Sequence, residues 1–215
     1  DLGTERRAGR EDDVLVLGQD DQLGIDALDA LGNLVEHPVR QAQHHHEHGD
    51  ADRLVADGAC RDGVPNGAYE LRMPDGRLRV VGAFAKGRRT GTFLFWAPTG
   101  ARIAVIPYED DVKVGTVALW YAPGSRQGEP RRKLESPYAA GVRNGATRSW
   151  HANGKPRAEY RYERGELLAA ETWSEAGEPM PEPAARRQAE RDRAADANLD
   201  AEFEKLIAEN LPRCQ

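Results

Sequence analysis

The sequence predicts a mainly β protein: an elongated antiparallel β-meander of hairpin repeats with a C-terminal capping α-helix. Three observations predict it. Glycines recur in pairs nine residues apart, Gly67 and Gly76, Gly91 and Gly100, Gly115 and Gly124, Gly145 and Gly154, and successive pairs begin 24, 24 and 30 residues apart. Aromatic residues keep the same phase. Trp96, Trp120 and Trp150 stand five residues after the first glycine of each pair, where the first unit has Arg72, and Phe84, Tyr108 and Tyr162 stand eight residues after the second. In the third unit the matching ring is Tyr138, displaced by a six-residue insertion at 125–130. Finally, beyond Pro181 and Pro183 the short apolar runs give way to a stretch rich in Ala, Glu and Arg that stops before Pro212. A fixed period of this size marks supersecondary units that cannot bury their apolar side alone and must stack.

Taken in order, residues 1–59 hold 5 basic against 14 acidic side chains and no aromatic residue, so nothing there can anchor a core. This segment is expected to be acidic and largely disordered, with a short helix near 25–35. The repeat domain occupies 60–178, where 19 basic residues face 14 acidic ones. Strands are expected at 68–73 and 77–85, 92–96 and 102–106, 116–121 and 132–138, 146–150 and 157–162, then 168–173. Pro74-Asp75-Gly76, Ala97-Pro98-Thr99-Gly100, Ala122-Pro123-Gly124 and Ala152-Asn153-Gly154 are the turns between the members of each pair. Gly87, Asp111, Gly141 and Gly165 punctuate the passage from one unit to the next, and all are residue types that tolerate a left-handed backbone. Links this short force neighbouring strands to pair antiparallel.

Residues 179–215 carry the helix, expected over 184–210. Leu199, Phe203, Leu206 and Ile207 fall at i, i+4, i+7 and i+8, a single apolar stripe in the second half, whereas the first half reads as polar all round. The second half is therefore expected to pack on the end of the sheet. Cys60 and Cys214 bracket the repeats and the tail. Two readings stand: free thiols in a reducing compartment, or a disulfide joining the two ends in a periplasmic or secreted protein. No run approaches the roughly 18–20 apolar residues that span a bilayer, so no transmembrane segment is expected.

The stretches "NGAYELRMPDG", "GTFLFWAPTG", "GTVALWYAPG", "NGATRSWHANG" and "YRYERG" resemble the MORN-repeat-variant family of bacterial proteins, over a little more than half of the chain. The resemblance implies a repeat β-sheet. Many such relatives are catalogued as antitoxin components of toxin–antitoxin pairs, and the broader MORN class is tied to protein scaffolding and to phospholipid contact. Arg72 in place of tryptophan and the insertion in the third unit depart from the pattern.

For function, Trp96, Trp120 and Trp150 should form a ladder along the sheet, either as a binding platform or as structural packing between units. Tyr108, Tyr138 and Tyr162 carry the same two readings, weighted toward structure. Arg88, Arg89 and Arg143, with the other basic residues of the repeats, are candidates for an acidic partner or anionic lipid, set against a plain solvated surface. His44, His46 and His48 in "HHHEH" are candidate metal ligands, but adventitious uptake outweighs a built site, and no cofactor is expected. There is no Gly-x-Ser-x-Gly, no Gly-x-x-x-x-Gly-Lys and no His-Glu-x-x-His in the chain. His151 and the acids Glu109, Asp110 and Asp111 fall in turns. The reading is a non-enzymatic protein that binds or scaffolds another protein through an extended sheet face, with no specific nucleic-acid partner. An antitoxin-like protein neutralising a cognate partner and a cell-envelope or anionic-lipid module are the alternatives.

Overall fold

A computed structural model describes residues 54–122 and 131–214. Of the arm expected to be disordered over 1–59, residues 1–53 lie outside the described residues, as do its short helix, the histidine cluster and the insertion at 125–130.

One antiparallel sheet of twelve strands runs through the repeats: β1 (Val55–Arg61), β2 (Val64–Arg72), β3 (Leu78–Ala85), β4 (Arg88–Trp96), β5 (Arg102–Glu109), β6 (Val112–Lys113), β7 (Gly115–Trp120), β8 (Arg132–Ala139), β9 (Val142–Arg143), β10 (Gly145–Trp150), β11 (Pro156–Glu163) and β12 (Glu166–Thr172). The strands lie in the order β1-β2-β3-β4-β5-β7-β8-β10-β11-β12, with β6 paired to β5 and β9 to β8. The sheet is a meander that stays open rather than closing into a barrel. It begins five residues before the expected boundary at residue 60, because β1 pairs with β2 from Val55 onward.

The period has a direct geometric cause. Gly67 pairs with Phe84, Gly91 with Tyr108, Gly115 with Tyr138 and Gly145 with Tyr162, so each unit's leading glycine faces the ring of the returning strand. All four glycines hold a positive φ, 123° at Gly67, 67° at Gly91, 62° at Gly115 and 117° at Gly145, a backbone conformation that other residues rarely adopt. Units are joined by tight turns in which two successive residues have positive φ: Asp62-Gly63, Lys86-Gly87, Asp110-Asp111, Ala140-Gly141 and Arg164-Gly165. This is the type I′ geometry, whose twist matches that of the flanking strands. Cys60 stands two residues before its turn, as Phe84, Tyr108, Tyr138 and Tyr162 do, so a sulfur takes the ring position in the first link.

Register carries one row of inward side chains across the whole sheet: Ala56, Leu71, Val80, Phe95, Ala104, Leu119, Leu134, Ser149, Ala158 and Thr172. The helix α1 (Glu182–Ala208) lies on this face. Phe203 stacks on Phe95 with ring centroids 4.2 Å apart, and Ile207 joins the same cluster. The first half of α1 packs as well. Ala185 and Ala189 are fully buried against Tyr160 and Tyr162, which corrects the expectation that this half is solvated and that the helix covers only the end of the sheet. Alanine methyls let the helix backbone approach closely, and a search for large apolar side chains passes over them. Beyond α1 the tail returns to the first strand, where Cys214 is bonded to Cys60 with their Cα atoms 5.7 Å apart.

Two outcomes follow from this architecture. Ala140 holds φ 49°, a left-handed conformation disfavoured for alanine. Ala140→Asn, which creates the Asn-Gly pair that type I′ turns favour, should raise stability by about 1 kcal/mol in denaturant unfolding. The disulfide closes a loop with a sequence separation of 154. Reduction or Cys214→Ser should therefore lower stability by up to roughly 4–5 kcal/mol, and a melting curve that ignores reductant would contradict the bridge.

Candidate binding surfaces

The two faces of the sheet present different chemistry. On the inner face, four acids of α1 sit one helical turn apart, and each meets a cation from a different strand. Asp192 binds Arg157 of β11, Asp196 binds Arg143 of β9, Asp200 binds Lys113 of β6 at 2.5 Å, and Glu204 reaches Arg89 of β4 at 3.5 Å. The cations also cover rings. Arg89 lies 4.3 Å from the centroid of Tyr108, Lys113 5.4 Å from Tyr138 and Arg143 5.4 Å from Tyr162.

The acids are more deeply buried toward the N-terminal half of the helix. Asp192 accepts both Arg157 Nη atoms at 2.6 and 2.8 Å, the Tyr160 hydroxyl at 2.7 Å and the Gln188 amide at 2.7 Å. Burial pushes this carboxyl up, but the hydrogen bonds from Arg157 and Tyr160 and the charge of Arg157 outweigh it, so Asp192 is held below the usual carboxylate range. At Asp196 burial wins despite Arg143, and the carboxyl is raised. The Arg143 guanidinium stays cationic throughout. Burial likewise pushes the Tyr108 hydroxyl up to about 12.

Four of the residues that carried both a binding and a structural or solvated reading lie at the contact between sheet and helix. Tyr108, Tyr162 and Arg143 are buried, and Arg89 is held between Asp111 and Glu204. Tyr138 is half-buried beside a groove of about 470 Å³ along α1, and Arg88 is exposed. Asp111, read as a plain turn acid, accepts the Arg89 backbone N–H at 2.9 Å and its Nε at 2.8 Å.

The outer face carries the tryptophans. Trp96, Trp120 and Trp150 end β4, β7 and β10 and follow inward-facing Phe95, Leu119 and Ser149, so alternation turns them away from α1. Each sits at a register shift that recurs in every unit, as does Arg72 in the first. Such a bulge re-aims the side chain at the strand end. The Trp120 indole lies between two guanidiniums, Arg102 at 4.6 Å and Arg132 at 4.7 Å. Burial and the charge of Arg132 lower the pKa of Arg102, as expected for two like charges sharing one ring.

A fourth tryptophan belongs to this set and was missed by the sequence reading. Trp173 stands four residues before Gly177, as Trp96, Trp120 and Trp150 stand before Gly100, Gly124 and Gly154. That offset was the available signal, hidden because Leu168 replaces the leading glycine. Trp150 and Trp173 flank a recess of about 560 Å³ whose lining includes Pro156, Lys155, Arg148 and Glu159. His151 donates from Nε2 to the Trp173 carbonyl oxygen at 2.9 Å, so this turn residue ties the two units together.

Among the described residues no group of His, Cys, Asp and Glu is placed to hold a metal ion. No described helix is long and apolar enough to cross a membrane. Compared with known proteins, the chain matches no protein-family model and no curated protein.

The inner face yields a pH dependence. Because the folded-state pKa of Asp192 lies below its unfolded value, its contribution is complete above the ordinary carboxylate range and is lost as pH falls through the folded value. Asp192→Asn should cost roughly 2–3 kcal/mol at neutral pH by leaving Arg157 uncompensated, and the gap to the parent should close in acid. Unfolding curves across pH check this, and a constant gap would contradict it.

Proposed function

We propose that this chain is a non-enzymatic binding or scaffolding protein, built from repeats of the MORN-variant kind, that captures another protein on the outer face of its sheet. The observation that carries this reading is the recurrence of an indole at the same bulge in β4, β7 and β10 and again after β12, on the face opposite α1. Tryptophan and arginine are the residues that concentrate binding energy at interfaces, because they combine large area with few lost rotamers or with bidentate hydrogen bonding. Here they alternate, with Arg102 and Arg132 against Trp120 and Arg148 beside Trp150. The recess between Trp150 and Trp173 supplies a pocket for an anchoring side chain.

The anionic-lipid alternative draws less support, since Arg89, Arg143 and Arg157 point at the acids of α1 rather than joining one outer patch. The Cys60–Cys214 bridge supports an oxidising compartment, periplasmic or extracellular, for the working protein.

Affinity capture with mass-spectrometric readout tests the reading, using the parent, Trp96→Ala with Trp150→Ala, and Arg148→Ala at a side chain 56% exposed. A protein retained by the parent should be lost with both variants, while Arg148→Ala, which gives up only an exposed pair with Glu159, keeps a melting temperature near that of the parent. Retention undiminished by either variant overturns it.

A further inference from the structure

On the outer face each indole is followed by the first residue of the next strand. Trp96 pairs with Arg102, Trp120 with Arg132 and Trp150 with Pro156. So β5 sets an arginine between Trp96 and Trp120, β8 sets one between Trp120 and Trp150, and β11 sets a proline between Trp150 and Trp173. The strands that run into a tryptophan, β4, β7, β10 and β12, stand two places apart in the sheet. Successive indoles are therefore separated by about 9–10 Å. That is twice the distance at which Arg102 and Arg132 lie from the Trp120 ring, 4.6 and 4.7 Å. One planar cation fills one interval.

The last interval lacks that cation and holds the recess of about 560 Å³ instead. The carboxylate that belongs with it is present. Arg132 pairs with Glu135 three residues on, and Glu159 stands three residues beyond Pro156. The two acids hold the same place in the ladder, since Ala118 pairs with Glu135 as Arg148 pairs with Glu159. Glu171 stands directly opposite Glu159 on β12, and like carboxylates so placed repel unless a cation joins them. Two cations line the recess, and both are engaged. Lys155 Nζ donates to the Ala176 carbonyl oxygen at 2.9 Å. Arg148 Nε donates to Glu159 Oε2 at 3.3 Å, which leaves Oε1 for a second donor.

We infer, on the outer-face reading, that the recess between Trp150 and Trp173 receives an arginine side chain of the captured protein. Its guanidinium takes the rung that Arg102 and Arg132 fill in the units before and donates to Glu159 and Glu171. Arginine fits better than lysine, because a guanidinium is planar, stacks on an indole and donates in several directions, whereas an ammonium is a compact and strongly hydrated charge. The negative faces of two indoles turn an anion away. The site is held ready before a partner arrives: His151 bonds the Trp173 carbonyl oxygen at 2.9 Å, and Asn153 Nδ2 donates to the Glu175 carbonyl oxygen at 3.1 Å, so the turns beside the two indoles are already joined.

The chain's four tryptophans are the four members of the row, so its indole N–H spectrum carries one signal for each. N-acetylarginine amide is titrated into the full oxidised chain and followed by proton–nitrogen correlation, with N-acetyllysine amide and inorganic phosphate as comparison probes at matched ionic strength. The Trp150 and Trp173 signals should shift to saturation with the arginine probe and several-fold less with the lysine probe, while Trp96 stays in place. Pro156→Arg supplies the rung from within, at a position where Arg102 and Arg132 are already accommodated. It should melt cooperatively and lose the response. Glu159→Gln should weaken the response several-fold with both indoles intact. No saturable shift in the parent overturns the inference, as does an equal response to lysine, a response to phosphate alone, or an arginine response undiminished in either variant. None of these results alters the capture experiment with Trp96→Ala and Trp150→Ala, which decides the outer-face reading separately.

Discussion

Four carboxylates spaced by one helical turn meet four cations supplied by β11, β9, β6 and β4. This match between the step of a helix and the step of a repeat sheet is what the rest of the structure leans on. The driving force for docking α1 is apolar: Phe203 on Phe95, Ile207 beside it, and the methyls of Ala185 and Ala189 on two tyrosines. Apolar contact is non-directional and would tolerate a slide of the helix by a turn. A half-buried acid without its cation would not, because an uncompensated charge in low dielectric is costly. The ion pairs therefore set register more than they add stability.

That register in turn decides which face is left to do anything else. Every cation equivalent to Arg89 lies over the ring at the position of Tyr108, so covering the inner face consumes both the basic and the tyrosine members of the repeat. The tryptophans escape because a bulge falls at each of them and alternation points them the other way. Their surroundings differ along the row. Trp120 is held between two guanidiniums, whereas Trp150 and Trp173 border an open recess. Among the described residues the sheet runs from β1 at one side to β12 at the other.

Much of the fold was legible because its causes are local. A glycine opposite a ring, two positive-φ residues in a tight link and a proline-bounded helix each leave a mark on consecutive residues. The sequence reading failed at Asp192 and Asp196, which face the sheet from α1 and made its first half look solvated. Each is acceptable there only because a cation stands opposite, and Arg157 and Asp192 are 35 residues apart in the chain. Trp173 was overlooked for a simpler reason, since its unit begins with leucine rather than glycine.

From the chain alone came the hairpin period, the antiparallel pairing, the helix and the two candidate cysteines, all of which depend on neighbours in sequence or on residue type. Tertiary structure alone decided that Cys60 and Cys214 join, that α1 lies along the inner face, and that Arg143 is buried while Arg88 is exposed. Local pattern specifies which way a side chain points within its own strand or helix. What it meets there depends on how a helix and a sheet are set against each other, and that is fixed by contacts between residues far apart in the chain.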